Sequence, residues 1–291
     1  MTRHPFFGLG LAILGALILT PDTLLMRWAD MDGFQMLAWR GLLSGSVFLS
    51  LWAITRRGHL TTDISNLKSP FGAGLIVCQF FNATLFSLGI SIAPVSLVLF
   101  GIATVPVFSA LFALLILREA TGLATWVTII AVLAGIALAL FSDENGQYEI
   151  ELWSFLGAIA GLGVALCLAL SFVLIRHKRN SPFVLAIGIG GLLSGTTGFL
   201  VTGVENMTAG NIEYIIITGA MILPFSFFLL SFAARYTHAS NVSLALLLET
   251  VLGPVWVWSG TPEQPTEMMF IGGFIVVASL ITYLIYMKRQ M

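Results

Sequence analysis

Three ionisable side chains, Asp22, Arg40 and Glu249, interrupt long apolar stretches of the sequence. Inside hydrocarbon each costs a few kcal/mol unless it is paired or faces water, so each marks a place where something is held or moved. With a helical rise of about 1.5 Å per residue, Asp22 and Arg40 fall within roughly 4 Å of each other in depth, and Glu249 lies about 6 Å or more deeper. Asp22 and Arg40 have two readings: they neutralise one another and lock adjacent helices, or they face a solute. No second cation is evident at the depth of Glu249. A carboxylate there could bind a substrate amine, take up and release a coupling proton, or do both. Gln79 and Asn82 share one helix face near that depth, where amides would orient a polar solute or bond to a neighbouring helix for about 1 kcal/mol. Trp39, beside Arg40, could stack on a solute or anchor the helix near the interface.

Positioning these groups needs spans, and the composition supplies them. Hydrophobic residues make up 58% of the 291 and charged ones 9%, against roughly 25% charged in an ordinary soluble domain. Apolar runs of about 20 residues, enough to cross a hydrocarbon core about 30 Å thick as helices, are expected at Phe6–Met26, Phe34–Ile54, Phe71–Ile90, Val95–Leu117, Gly122–Phe141, Leu152–Ile175, Phe183–Gly203, Ile212–Ala233, Ser240–Ser259 and Met268–Met287. The first run is read as a retained helix rather than a signal peptide, because no small-x-small cleavage site precedes the return of charge.

Charge orients the spans. With the N-terminus inside, Arg3, Arg56, Arg57, Lys68, Arg118, Arg176, Lys178, Arg179, Arg235, Lys288 and Arg289 collect on one side, eleven of the thirteen basic residues. The other side carries Asp30, Asp32, Asp143, Glu144, Glu149, Glu151, Glu205, Glu213, Glu263 and Glu267. The positive-inside rule then places both termini in the cytoplasm. Most loops are short, which makes sequential helices antiparallel neighbours and leaves no room for a soluble catalytic domain.

Several functions are disfavoured. The net charge of −1 and the scattered basic residues suggest no nucleic-acid partner. His4, His59, His177 and His238 lie on or near the basic side, so no haem or zinc constellation is visible within the membrane. Walker, GxSxG and HExxH motifs are lacking, and no cofactor is implied. Cys78 and Cys167 sit in apolar runs without a CxxC companion and read as packing residues. A lipid-modifying enzyme or a scaffold remains the reading from another class; the enzyme would need a catalytic cluster at one face.

Ten spans with both ends inside divide into two five-span halves of opposite orientation. Pro106 precedes Glu119 by thirteen residues, with Gly135 sixteen further on; Thr250 precedes Glu263 by thirteen, with Gly272 nine beyond. Glu119 falls at the inner end of span four and Glu263 at the outer end of span nine, as an inverted repeat requires. Both read as helix-end features, Glu119 pairing locally with Arg118. Pro21, Pro106, Pro224 and Pro254 would kink or shape spans. Gly188, Gly190, Gly191 and Gly195, and Gly157 with Gly161, offer small faces for close helix contact. Trp256 and Trp258 fit an interfacial belt.

The stretches Thr104-Val-Pro-Val-Phe through Leu117-Arg-Glu119 to Gly135, and Ser243-Leu-Ala-Leu-Leu-Leu-Glu-Thr250 through Glu263 to Gly272, resemble the paired EamA modules of the drug/metabolite transporter superfamily. Trp39-Arg-Gly-Leu42 matches that family's arginine in the second span, and Ala234-Arg-Tyr236 its short basic link. Thr250 stands where the second module usually has proline, and Ser279 where it has a late glycine.

The resemblance implies an all-α integral membrane fold with halves 1–141 and 152–291 joined by an outer linker, 142–151. It implies a central cavity lined by spans one to four and six to nine, with five and ten peripheral. It also implies a secondary carrier, in a bacterial cytoplasmic membrane, that often exports amino acids or related compounds. Arg40 would attract a carboxylate and Glu249 an ammonium, so a zwitterion is the first expected substrate, with Asp22, Trp39, Gln79 and Asn82 completing the site. A nucleoside, vitamin or organic cation is the alternative. The expected partners are the solute and membrane lipids, with a homodimer left open.

Overall fold

The computed structural model describes residues 5–119, 122–140, 152–262 and 267–290, and among them every regular element is helical. The first span is two helices, α1 (Pro5–Leu19) and α2 (Asp22–Ala29), rather than the single run expected over Phe6–Met26. The break at Thr20–Pro21 follows from proline's missing N–H. Leu17's carbonyl accepts from both the Thr20 N–H and its hydroxyl, and Pro21's carbonyl accepts from Leu25 to start the next helix.

The second span, α3 (Gly33–Thr55), starts where the Asp32 carboxylate accepts from the Phe34 and Gln35 amides, satisfying two of the free N–H groups at a helix start. A short helix, α4 (Leu60–Leu67), lies between it and α5 (Pro70–Ile92), where the sequence reading expected only a loop. Span four is broken into α6 (Val95–Ile102) and α7 (Val105–Phe112), with Pro106 in the first turn of α7 and a π turn at Ala113–Leu117.

After α8 (Leu123–Leu140) come the long helices α9 (Leu152–His177) and α10 (Phe183–Thr202). Then α11 (Ile212–Ile217) and α12 (Leu223–Ala233) are joined by a π turn at Thr218–Ile222, just before Pro224. Pro224 cannot close the preceding turn, and a wide turn accommodates the gap. The chain ends in α13 (Ala239–Gly260), with Pro254 in its interior, and α14 (Glu267–Gln290). Glu263 and the linker 142–151 lie outside the described residues.

Eight stretches among the described residues are long and apolar enough to cross a membrane. Leu115, Leu123, Leu200, Phe225 and Phe274, among others, turn large apolar surfaces outward. A belt of this kind is stable against lipid and not against water, so the protein is a multi-pass, all-α membrane protein.

Helix contacts follow the small residues. α3 lies along α10 so closely that a Cβ on Gly41 would come within 2.6 Å of the Gly195 Cα. Gly157 and Gly161 play the same part where α9 meets Ala93 and Val98. α5 packs on α9 and α10, α1 on α12 and α13, and α8 on α14. Tyr283 of α14 donates to Asn241 of α13 and shares a hydrogen bond with Thr125 of α8, so the outer pair is fixed to the bundle. Gly195→Val is expected to destabilise the protein by about 1–3 kcal/mol, because it drives a branched side chain into backbone that cannot retreat. Unfolding in detergent, followed by temperature or denaturant, checks this.

Candidate functional site

The Thr20–Pro21 break puts Asp22 in the first turn of α2, where the positive end of the helix favours a carboxylate. Arg40 reaches it from α3, its Nη1 lying 2.9 Å from Oδ1 and 2.8 Å from Oδ2, and both side chains are buried. The pair therefore neutralises itself. Nη1 serves Asp22, however, while the guanidinium lies 5.3 Å from the Phe86 ring centroid and its other N–H groups make no protein hydrogen bond among the described residues.

Asp22, Arg40, Gln79, Asn82 and Glu249 all line one cavity, closed by apolar side chains such as Phe48, Phe86 and Phe227. Glu249, on α13, is buried, and both Asp22 and Arg40 act on it electrostatically. Glu249 makes no ion pair, and the side chains of Glu249, Gln79 and Asn82 make no hydrogen bond among the described residues. Polar groups this deep are normally satisfied; here their capacity faces a shared space. The cavity measures about 50 Å³, and a water needs roughly 10–15 Å³ on that measure. It has room for a few waters, and a larger solute requires the helices to part.

Trp39 is placed elsewhere. Its indole N–H donates to the Met207 carbonyl at 2.9 Å, beside Gln35, whose amide donates to the carbonyls of Met207 and Ala209. Trp39 thus grips the loop between α10 and α11 and is not part of the cavity wall.

Two further hydroxyls escaped the sequence reading. Thr23 and Thr250 each follow a cavity carboxylate, and their Oγ1 atoms are buried without a partner. A threonine beside an intramembrane acid was the available signal. The thiols of Cys78 and Cys167, on the packed helices α5 and α9, are both free and buried.

Residues 6–141 match the family described as the EamA-like transporter family. The first half of the chain is thus similar to EamA-like transporters. The chain is 26% identical over 267 residues to the Bacillus subtilis (strain 168) protein described as "Uncharacterized transporter YdfC", a match covering 88% of this chain and 84% of that one. A solved crystal structure 15% identical to this chain superposes with a TM-score of 0.73, covering 95% of this chain and 96% of its own, which establishes likeness of fold.

Most of the described basic residues gather at one end, where the expectation for Glu119 is corrected. Its carboxylate meets Arg176 at 3.4 Å and His238 Nδ1 at 2.9 Å rather than pairing with Arg118, which takes a left-handed backbone conformation at φ 55°. Glu119 therefore ties the end of α9 to the start of α13.

At the same end Asp63 of α4 receives two hydrogen bonds from Arg56, at 2.9 and 2.8 Å, and one from the Trp52 indole at 3.0 Å. The Arg56 hydrogen bonds, with a smaller contribution from Trp52, hold the Asp63 carboxyl below its ordinary pKa of 3.8 against an opposing effect of burial. A carboxylate with a depressed folded-state pKa stabilises the fold above its unfolded pKa, and that contribution is lost as pH falls through the folded value. Unfolding temperature measured from about pH 5 down to pH 2 should fall more steeply in the parent than in Asp63→Asn.

Proposed function

We propose that the protein is a secondary carrier, of ten spans in two inverted halves, that exports an amino acid or related zwitterion across a bacterial cytoplasmic membrane by alternating access. The observation that carries this reading is the shared cavity lined by Glu249, Gln79, Asn82 and the free edge of Arg40, with their hydrogen-bonding capacity unspent. Glu249 would take the ammonium, the free N–H groups of Arg40 the carboxylate, and the two amides the remaining polar edge. The pairing of Arg40 with Asp22 keeps the guanidinium neutralised between solutes. Glu249 also suits a coupling proton, released as an ammonium arrives.

The packing supports two related halves, 1–141 and 152–291. If spans one to five exchange with six to ten, the contact of α1 with α12 becomes that of α9 with α5, and the contact of α1 with α13 becomes that of α9 with α6 and α7. The contacts of α3 with α10 and of α8 with α14 map onto themselves. The binding residues would then sit at the repeat interface near mid-membrane, where inverted-repeat carriers hold their solutes. The basic end would face the cytoplasm, and both termini with it.

The test is counterflow into liposomes loaded with one unlabelled metabolite class at a time. Uptake of a labelled amino acid supports the proposal; silence across amino acids, nucleosides, vitamins and organic cations from folded protein would sink it. A second reading, an organic-cation carrier, is favoured by the charge count, since two carboxylates face one guanidinium. Competition by a simple amine equal to that by the matching amino acid would select it.

A further inference from the structure

The roomier cavity described here lies at the basic end, not at the centre. A space of about 450 Å³ opens there between α3, α4, α10 and α12, lined by Arg56, Asp63, Asn66, Ser181, Arg235 and others. It is stacked on the central cavity along two helices: Phe48 lines the central cavity and Trp52, one turn on, lines this one, while Phe227 and Phe228 divide likewise.

One wall is built around unspent donors. Arg235 Nη2 donates to the Ser181 carbonyl at 2.5 Å, and its guanidinium lies 4.5 Å from the Phe183 ring centroid. The Nε of Arg235 is buried without a partner, and so is the Oγ of Ser181, a residue only 4% exposed. α10 begins alongside, at Phe183, with no side-chain cap from Pro182; the Phe183 N–H donates to the Ser181 carbonyl, and the N–H groups of Val184 and Leu185, with the positive end of the helix, add to the same wall. The lining holds two guanidiniums, and Asp63, its only carboxylate among the described residues, is engaged by Arg56. Burial holds the pKa of Arg235 below its ordinary range, against an opposing effect of Tyr236 and with a smaller lowering by the like charge of Arg56.

We propose that this cavity is a second binding site, taking a carboxylate or phosphate group, with Arg235, Ser181 and the start of α10 as its cradle. Guanidinium, hydroxyl and helix N-terminus together are a recurrent solution for oxyanions. The anion belongs to a free solute at the mouth of the central cavity or to an acidic lipid headgroup, and the chemistry of recognition is shared.

The test uses purified full-length protein. Inorganic phosphate is titrated by calorimetry against chloride at equal ionic strength, and the protein is then placed in nanodiscs of phosphatidylglycerol or phosphatidylcholine and its retained lipid weighed by native mass spectrometry. Phosphate binding that weakens by about tenfold or more in Arg235→Gln and in Ser181→Ala, but not in Glu249→Gln, supports a site for free anions distinct from the central cavity. Phosphatidylglycerol retained by the parent and lost from the same two variants supports the headgroup. Ser181→Ala removes only a hydroxyl and keeps the test valid if Arg235→Gln does not fold. Neither probe binding, or both binding parent and variants alike, overturns the proposal.

Discussion

Replacing Glu249 by glutamine is expected to lower transport about 10- to 100-fold while leaving the protein folded. Glutamine keeps the shape of the side chain and removes only its charge, and a hydrogen bond to a charged group is worth about 1.5–3 kcal/mol. The local fold should tolerate the change, because among the described residues Glu249 has no ion pair or side-chain hydrogen bond to break. The two roles assigned to this carboxylate separate in the assay. If it holds the ammonium, counterflow and gradient-driven uptake both fall. If it carries only the proton, counterflow survives and accumulation driven by a pH gradient stops. A variant matching the parent in both assays would remove Glu249 from the mechanism.

Arg40→Ala should be the most damaging single change to stability, by about 3–5 kcal/mol, because it leaves Asp22 fully buried with no cation beside it. The comparison that makes this informative is Arg40→Met combined with Asp22→Asn. If the pair is chiefly an electrostatic lock, the double variant regains most of the lost stability, since removing both charges removes the burial penalty as well. Transport should not return with it, because the free edge of Arg40 is what the proposal offers to a carboxylate. Recovery of transport alongside stability would assign the pair to structure alone.

How much of this was legible in the sequence depends on distance along the chain. Eight of the spans stand out because hydrocarbon demands about 20 apolar residues in a row, which is local information. Asp22, Arg40, Gln79, Asn82 and Glu249 stand out for the same reason, as polar groups where solvation is costly, and the fold brings all five to one cavity.

Other features were hidden because their causes are not local. Glu119 has a basic neighbour in Arg118, yet its partners come from 57 and 119 residues away. Trp39 sits beside Arg40 in sequence but 100° around the helix, and its partner is a loop 168 residues on. α4 is too short to show a span's pattern, although Asp63, an acid amid the basic loops, was a visible anomaly. Pro21 suggested a disturbed helix, and only the structure shows that the break presents Asp22 at a helix start.

The acidic end of the bundle is stitched by side chains that grip carbonyls. Arg27 reaches Ala93, Trp28 reaches Gly260, Gln35 and Trp39 hold Met207, and Asn211 holds Trp28. The basic end meanwhile contains the roomier cavity. If the protein is the carrier proposed, any imbalance between these ties and those of Glu119, Arg235 and Asp63 at the basic end sets a resting population. Losing three such bonds unreplaced, at about 1 kcal/mol each, would leave only about 1% of molecules open on the stitched side. A solute arriving there would bind with an apparent affinity about a hundredfold below the intrinsic one, while a solute from the other side would meet a transporter already waiting. Direction, in such a molecule, is written in the unequal occupancy of its two orientations before any gradient is applied.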